Sequence, residues 1–141
     1  MNAALIGIVT GLIVIVAIAP FKHLDKKLIY GLVLSGIGFL YVGYTWMDFT
    51  SISINIIQAI IFTLLSYFGI RKNMYYLAAG YFLHGLWDFV YHFIADPKLL
   101  PPHYDMFCST IDFLIGFYLL WVQYQLYKKG LASMPQTIVA V

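Results

Sequence analysis

Glutamate is absent from the 141 residues, and all six acids are aspartates: Asp25, Asp48, Asp88, Asp96, Asp105 and Asp112. Charge of either sign is scarce, at 10% of the chain with a net of +2, where a soluble domain carries about 25%. That scarcity excludes a soluble enzyme and a solvated, disordered chain. Without a basic stripe it also excludes a nucleic-acid partner. Cysteine occurs once, at Cys108, so no intramolecular disulfide can form. No Lys or Arg precedes the first apolar run, and Pro20 follows Ala17-Ile18-Ala19. That run therefore reads as a retained helix rather than a cleaved signal peptide. Nucleophile elbow, phosphate loop and dinucleotide fingerprint are all missing. What remains is apolar: 62% hydrophobic residues and a mean hydropathy of +0.87. This is the composition of a multi-pass protein of the cell membrane, with the lipid bilayer as its first partner.

A membrane-crossing helix needs about 20 mostly apolar residues. Five stretches qualify, over about 2–19, 28–49, 51–70, 74–95 and 106–127. The connections are short, so the expectation is an all-α bundle of five antiparallel spans forming one domain over 1–141, with sequence neighbours adjacent in space. Lys22, Lys26, Lys27, Arg71, Lys72, Lys128 and Lys129 fall on one side, and Lys98 alone on the other. Seven against one places the amino terminus outside and the carboxyl terminus in the cytoplasm. Gly7 and Gly11 on the first span, and Gly31, Ser35, Phe39 and Gly43 on the second, recur every four residues. Such rows let helix backbones approach closely in lipid. They read as packing within the bundle and leave room for a homo-oligomer.

The chemistry concentrates in the last two spans. His84, Asp88 and His92 follow one another at i, i+4 and form a ridge on one helix face, with Gly80 extending it inward beside His84. Cys108 and Asp112 repeat the spacing on the fifth span, with Gly116 beyond. The depths agree: counted from the outer ends at 1.5 Å per residue, Asp88 lies about 10 Å down and Asp112 about 9 Å. Asp48 closes the second span on the same side.

Two carboxylates at one depth in hydrocarbon repel unless a proton or cation sits between them. His, Asp and Cys together are the ligands of zinc and related divalent metals. The expected metal set is His84, Asp88, Asp112 and Cys108, and the expected catalytic groups are Asp88, Asp112, His92 and Asp48. In that scheme the metal polarises a substrate oxygen or activates water, and His92 or Asp48 moves the proton. The competing reading treats the same residues as buried hydrogen-bond glue, His84 with Asp112 and Asp88 with His92 or a tyrosine.

The segment from Tyr75 to about Leu120 resembles a family of small bacterial integral membrane proteins of unknown function. The family pattern is His-x-x-Trp-Asp-x-x-His-His, a proline-bearing loop, then Cys-x-x-Cys-Asp. In this chain it selects His84, Trp87, Asp88, His92, Cys108 and Asp112. Trp46 and Asp48 resemble a Trp-Glu pair on the family's second span. Tyr91 replaces one histidine and Ile111 one cysteine, so a site built on two thiolates is not expected. The resemblance implies a membrane protein with a polar site and no assigned activity.

Three readings follow. The first is a metal-dependent enzyme acting on a lipid or isoprenoid-like substrate near the outer leaflet. The second is a transporter or sensor binding a metal ion or proton. Against it, no charged residue lies between Lys72 and His84 or between Asp112 and Lys128, and no inverted repeat appears. The third is a structural accessory subunit.

Overall fold

The computed structural model describes residues 2–21, 23, 25–94 and 97–132, without the side chains of residues 92, 97, 131 and 132. The described residues form five α-helices and a short 3-10 turn: α1 (Ala3–Ile18), α2 (Lys26–Tyr44), α3 (Phe49–Arg71), α4 (Met74–Ile94), the turn Pro97–Leu99, and α5 (Tyr104–Ala132). Three of them, α2, α3 and α5, are long and apolar enough to cross a membrane, which points to membrane association. At 16 residues α1 is apolar but short. The 21-residue α4 has the length, but its two histidines, aspartate and four tyrosines lower its hydropathy.

Local chemistry sets the helix starts. Asn2, Asp25 and Asp48 occupy the N-cap positions of α1, α2 and α3, and each side chain accepts from backbone N–H groups that the first turn leaves unpaired. At α5 the turn is made by His103, whose φ of 61° lies in the left-handed region. The second span was expected to run to residue 49, but α2 stops at Tyr44. The Thr45 hydroxyl donates to the Tyr41 carbonyl at 2.8 Å, and Asp48 turns its carboxylate to the Ser51 N–H at 2.7 Å. A good N-cap immediately before α3 moves the break between the two helices to Thr45–Asp48, earlier than hydropathy alone places it.

Helix α4 is central, touching α5, α3 and α2. Sequence neighbours pack together except at the start, where α1 lies against α5 rather than against α2. Gly7 and Gly11 are the reason. A Cβ on Gly7 would collide with Thr110 Oγ1 and stand 2.5 Å from the Phe107 carbonyl oxygen. On Gly11 it would come within 2.9 Å of Leu114. The four-residue row on α2 is used only in part: Gly31 is filled by Ile70, whereas Gly43 faces open space.

The core has two parts. Tyr30, Leu34, Phe62, Leu77, Tyr81, Ile115 and Leu119 pack one end of the bundle. Tyr41, Tyr91, Tyr104 and Cys108 pack the other. The polar residues of α4 and α5 lie between them.

Candidate metal centre

The buried face of α4 runs Leu77, Tyr81, His84, Asp88, Tyr91, and that of α5 runs Cys108, Asp112, Ile115, Leu119. Spacing by three and four puts each row on one side of its helix, and the two sides meet. One ligand atom from each of His84, Asp88, Cys108 and Asp112 lies within 4.8 Å of all the others. All four residues are buried. The close approach depends on Gly85, where a Cβ would stand 3.3 Å from the Asp112 Cβ and 3.4 Å from the Ser109 carbonyl oxygen. Gly80, expected to make space beside His84, instead receives Leu34 of α2, and Gly116 receives the Phe82 ring.

Within the cluster, His84 Nδ1 and Asp112 Oδ2 are hydrogen-bonded at 2.7 Å. His84 Nδ1 lies 3.8 Å from Asp88 Oδ1. The Tyr41 hydroxyl of α2 donates to Asp88 Oδ1 at 2.6 Å, and the Cys108 thiol donates to Asp112 Oδ2 at 3.7 Å. The His84 ring is held edge-on by Phe62 at 4.9 Å and Tyr41 at 5.9 Å between centroids. Toward the α2–α3 turn, Asn55 Nδ2 donates to Thr45 Oγ1 at 2.9 Å and to the Tyr91 hydroxyl at 3.3 Å. The Tyr91 ring packs on Tyr41 at 4.9 Å.

The pairings anticipated for a hydrogen-bonded core therefore form, His84 with Asp112 and Asp88 with a tyrosine. They do not exhaust the polar atoms. Asp88 Oδ2 and Asp112 Oδ1 are buried with no hydrogen-bond partner among the described residues, while His84 also has the Ile37 backbone of α2 within hydrogen-bonding reach. Buried polar groups in native proteins are nearly always satisfied. Two such carboxylate oxygens in one cluster mark a place for something further.

The donor set fits a divalent metal. Tetrahedral zinc with bonds of about 2.0–2.3 Å has ligand–ligand edges of about 3.3–3.7 Å. The present spread of up to 4.8 Å closes to that through side-chain adjustment of about 1 Å, with the His84–Asp112 hydrogen bond opening by a similar amount. Two aspartates, one neutral histidine and a divalent cation sum to zero charge, and Cys108 ligating as a thiolate brings the site to −1.

Asp48 is not in this group. It stands in the α2–α3 turn with its carboxylate committed to the first turn of α3, and the hydrogen bonds from Ser51 hold that carboxyl below the ordinary carboxylate range. The proton-transfer role expected of Asp48 finds no support in this position, where its carboxylate caps α3. His92 continues the α4 ridge by one turn, and its side chain lies outside the described residues. His103 is exposed in the loop before α5. Sequence reading missed Tyr41, Phe62 and Asn55. A tyrosine on an apolar helix carries no signal by spacing, and only the packing of α2 on α4 brings the Tyr41 hydroxyl to Asp88.

An all-helical chain with membrane-length helices and a buried His/Asp/Cys/Asp cluster is the class that fold and site define. The family of unknown function DUF6010 matches residues 2–125, and the chain belongs to that family. No curated protein and no solved structure matches it.

Proposed function

We propose that this chain is a five-span integral protein of the cell membrane, amino terminus outside, whose α4–α5 cluster holds a divalent cation of the zinc type. In this reading the cation serves an enzyme acting on a lipid or isoprenoid-like substrate in the outer half of the bilayer. One observation carries it: a buried cluster of two carboxylates, an imidazole and a thiol that keeps a carboxylate oxygen on each of Asp88 and Asp112 unpartnered among the described residues. Hydrogen-bond glue would consume those atoms, whereas an ion uses them. His84, Asp88 and Asp112 hold the metal, Cys108 is the fourth donor, and Tyr41 fixes the Asp88 carboxylate through its 2.6 Å hydrogen bond. The bound metal would supply Lewis acidity toward a substrate oxygen or water. His92, one turn along the ridge, is assigned the proton transfer.

Metal content of the purified protein, before and after chelation, is the test. About one zinc-type ion per chain, lost on chelation and restored on adding zinc, is expected. A metal-free protein that gains no stability with any divalent cation would refute the assignment. Orientation is checked separately by labelling Arg71→Cys and Lys98→Cys, which should react from opposite sides of the membrane.

One observation favours a transporter or sensor of a metal ion or proton instead. The buried face of α3 carries Ser51, Asn55, Gln58 and Ser66 along most of its length, so polar groups continue past the depth of the cluster. Metal or proton flux in proteoliposomes, abolished by Asp88→Asn, would establish that reading over the enzymatic one.

A further inference from the structure

The Tyr30 end of the bundle carries a corner of cations. Helix α3 ends at Arg71 with Lys72 as its C-cap, and α2, which begins at Lys26, packs against it. Lys27 Nζ donates to the Lys72 carbonyl at 3.3 Å, a cation placed where a helix C-terminus favours one. Lys26 Nζ donates likewise to the Ala19 carbonyl at the end of α1. Asp25 is the acid nearest to them in sequence, and its carboxylate is committed to the Lys27 and Leu28 N–H groups that open α2. Four cations against that one acid leave a charge of +3. Among the described residues none of the four pairs with a carboxylate.

Lys72 is not held as a solvated lysine. Its ammonium lies 5.3 Å from the centre of the Phe68 ring and 5.6 Å from that of Tyr76. The rings stand 6.2 Å apart, on α3 and α4, and both are exposed. Cation–π attraction keeps the ammonium over this apolar surface, at the level of an interfacial aromatic belt, where a snorkelling lysine extends past it into water. Arg71, next to it in the chain, is exposed and brings a fork of donors that fits phosphate oxygens. A phosphodiester with hydrocarbon beneath it complements this corner: oxygens for Lys27, Arg71 and Lys72, an acyl chain for Phe68 and Tyr76. A choline headgroup would add a cation where cations are already in excess.

The lysines of α5 at the same end stand apart. Gln123 Oε1 accepts from the Met74 N–H at 3.1 Å, which sets Gln123 level with the start of α4. Lys128 follows about 8 Å further along the helix, at 1.5 Å per residue, with its ammonium 5.2 Å from the Tyr124 ring.

We propose that the α2–α3–α4 corner binds the headgroup of an anionic phospholipid, with its phosphate on Lys27, Arg71 and Lys72 and an acyl chain along Phe68 and Tyr76. The inference rests on the membrane reading above and is independent of the metal.

Native mass spectrometry of the full chain, released from nanodiscs of equal parts phosphatidylcholine and phosphatidylglycerol, is the test. Phosphatidylglycerol should stay bound with about a tenfold preference over phosphatidylcholine. The Arg71 side chain makes no hydrogen bond or ion pair among the described residues, so folding is not at stake in Arg71→Gln. That variant should lose about fivefold of the preference, the worth of one interfacial cation. Adding Lys72→Gln should bring it to near unity. Lys128→Gln with Lys129→Gln removes two charges from the same end and should leave the preference unchanged. Equal retention of the two lipids by the parent overturns the proposal. An equal loss in the α5 pair overturns it as well, since general charge density and not the corner then selects the lipid. Complete displacement of the lipid by excess inorganic phosphate also overturns it, leaving an anion site in place of a lipid site. A chain recovered outside the nanodiscs refutes the membrane reading and this proposal with it. An incorporated chain without lipid preference refutes the proposal alone.

Discussion

Replacing Asp88 by Asn removes one charge from the cluster and almost nothing else. The carbonyl oxygen of the introduced amide can still accept from the Tyr41 hydroxyl, which now meets Asp88 Oδ1 at 2.6 Å. Side-chain volume is unchanged, and the new NH₂ falls where Asp88 Oδ2 has no partner among the described residues. Two carboxylates with ligand atoms no more than 4.8 Å apart repel by at least about 3.5 kcal/mol at an effective dielectric of 20. Proton sharing in the metal-free protein relieves part of that. The metal-free variant should therefore be as stable as the parent, or more stable by about 1–3 kcal/mol. The metal-dependent part should behave in the opposite way. A cation at a hundred times its Kd stabilises the folded parent by about 2.7 kcal/mol, which for a chain of this size raises Tm by roughly 10 °C. In Asp88→Asn that increment should vanish. Thermal unfolding with and without zinc, alongside metal analysis, measures both effects. An Asp88→Asn protein with full metal content and the full zinc-dependent rise in Tm would refute the ligand assignment. If Asp88→Asn lowers metal-free stability by several kcal/mol, the charge itself is structural and the repulsion argument fails.

Tyr41→Phe removes a hydrogen bond to a buried carboxylate and should cost about 2 kcal/mol, read by unfolding. It should also weaken metal binding without abolishing it, because Tyr41 orients a ligand and is not one. Gly7→Ala drives a methyl into Thr110 and the Phe107 carbonyl and should destabilise the α1–α5 contact by about 1–3 kcal/mol. Gly36→Ala faces open space and should be neutral or slightly stabilising, so equal losses in the two variants would dismiss the seat of α1 on α5. The depressed Asp48 carboxyl makes a prediction with a definite sign. Its N-cap contribution is fully present above the ordinary Asp range and is lost as pH falls through the lower folded value. Hydrogen exchange at the Ser51 amide should accelerate in excess of the intrinsic rate only below that range.

Much of this arrangement is legible in the sequence because it depends on two periods. Apolar runs of about 20 residues mark α2, α3 and α5, and i, i+4 spacing puts His84 with Asp88 and Cys108 with Asp112 on single helix faces. Counting residues from the helix ends brings the two pairs to one depth, and the structure gathers the four into one cluster. What the periods do not encode is which helix lies beside which. Short loops argue for α1 against α2, yet Gly7 and Gly11 remove the side chains that would hold α5 away, and close backbone packing with α5 results. The limits of α2 escape hydropathy for a related reason: Trp46 and Met47 read as membrane residues, while the Thr45 and Asp48 hydrogen bonds end one helix and begin the next. Tyr41 and Phe62 reach His84 and Asp88 only through contacts among α2, α3 and α4, which no single-helix pattern specifies.

The cost of this cluster shows in α4 itself. Among the described residues, its polar face makes it the one helix of sufficient length that lacks the hydropathy of a membrane span, yet it occupies the centre of the bundle, against α2, α3 and α5. Polar residues at that position are covered by the neighbouring helices, so their burial is tolerable only while those helices stay packed. Helix packing and the state of the cluster are therefore coupled. Tyr41 from α2, Phe62 from α3, His84 from α4 and Asp112 from α5 meet within one set of contacts. An ion that satisfies Asp88, Asp112 and His84 together would bind the assembled bundle and not the separated helices. By mass action it stabilises the whole fold rather than one helix pair. If the cluster were filled only by protons, removing a carboxylate would loosen no more than its own hydrogen bond. The zinc-dependent change in unfolding of the intact chain thus reports on the site and on the four-helix contact at once.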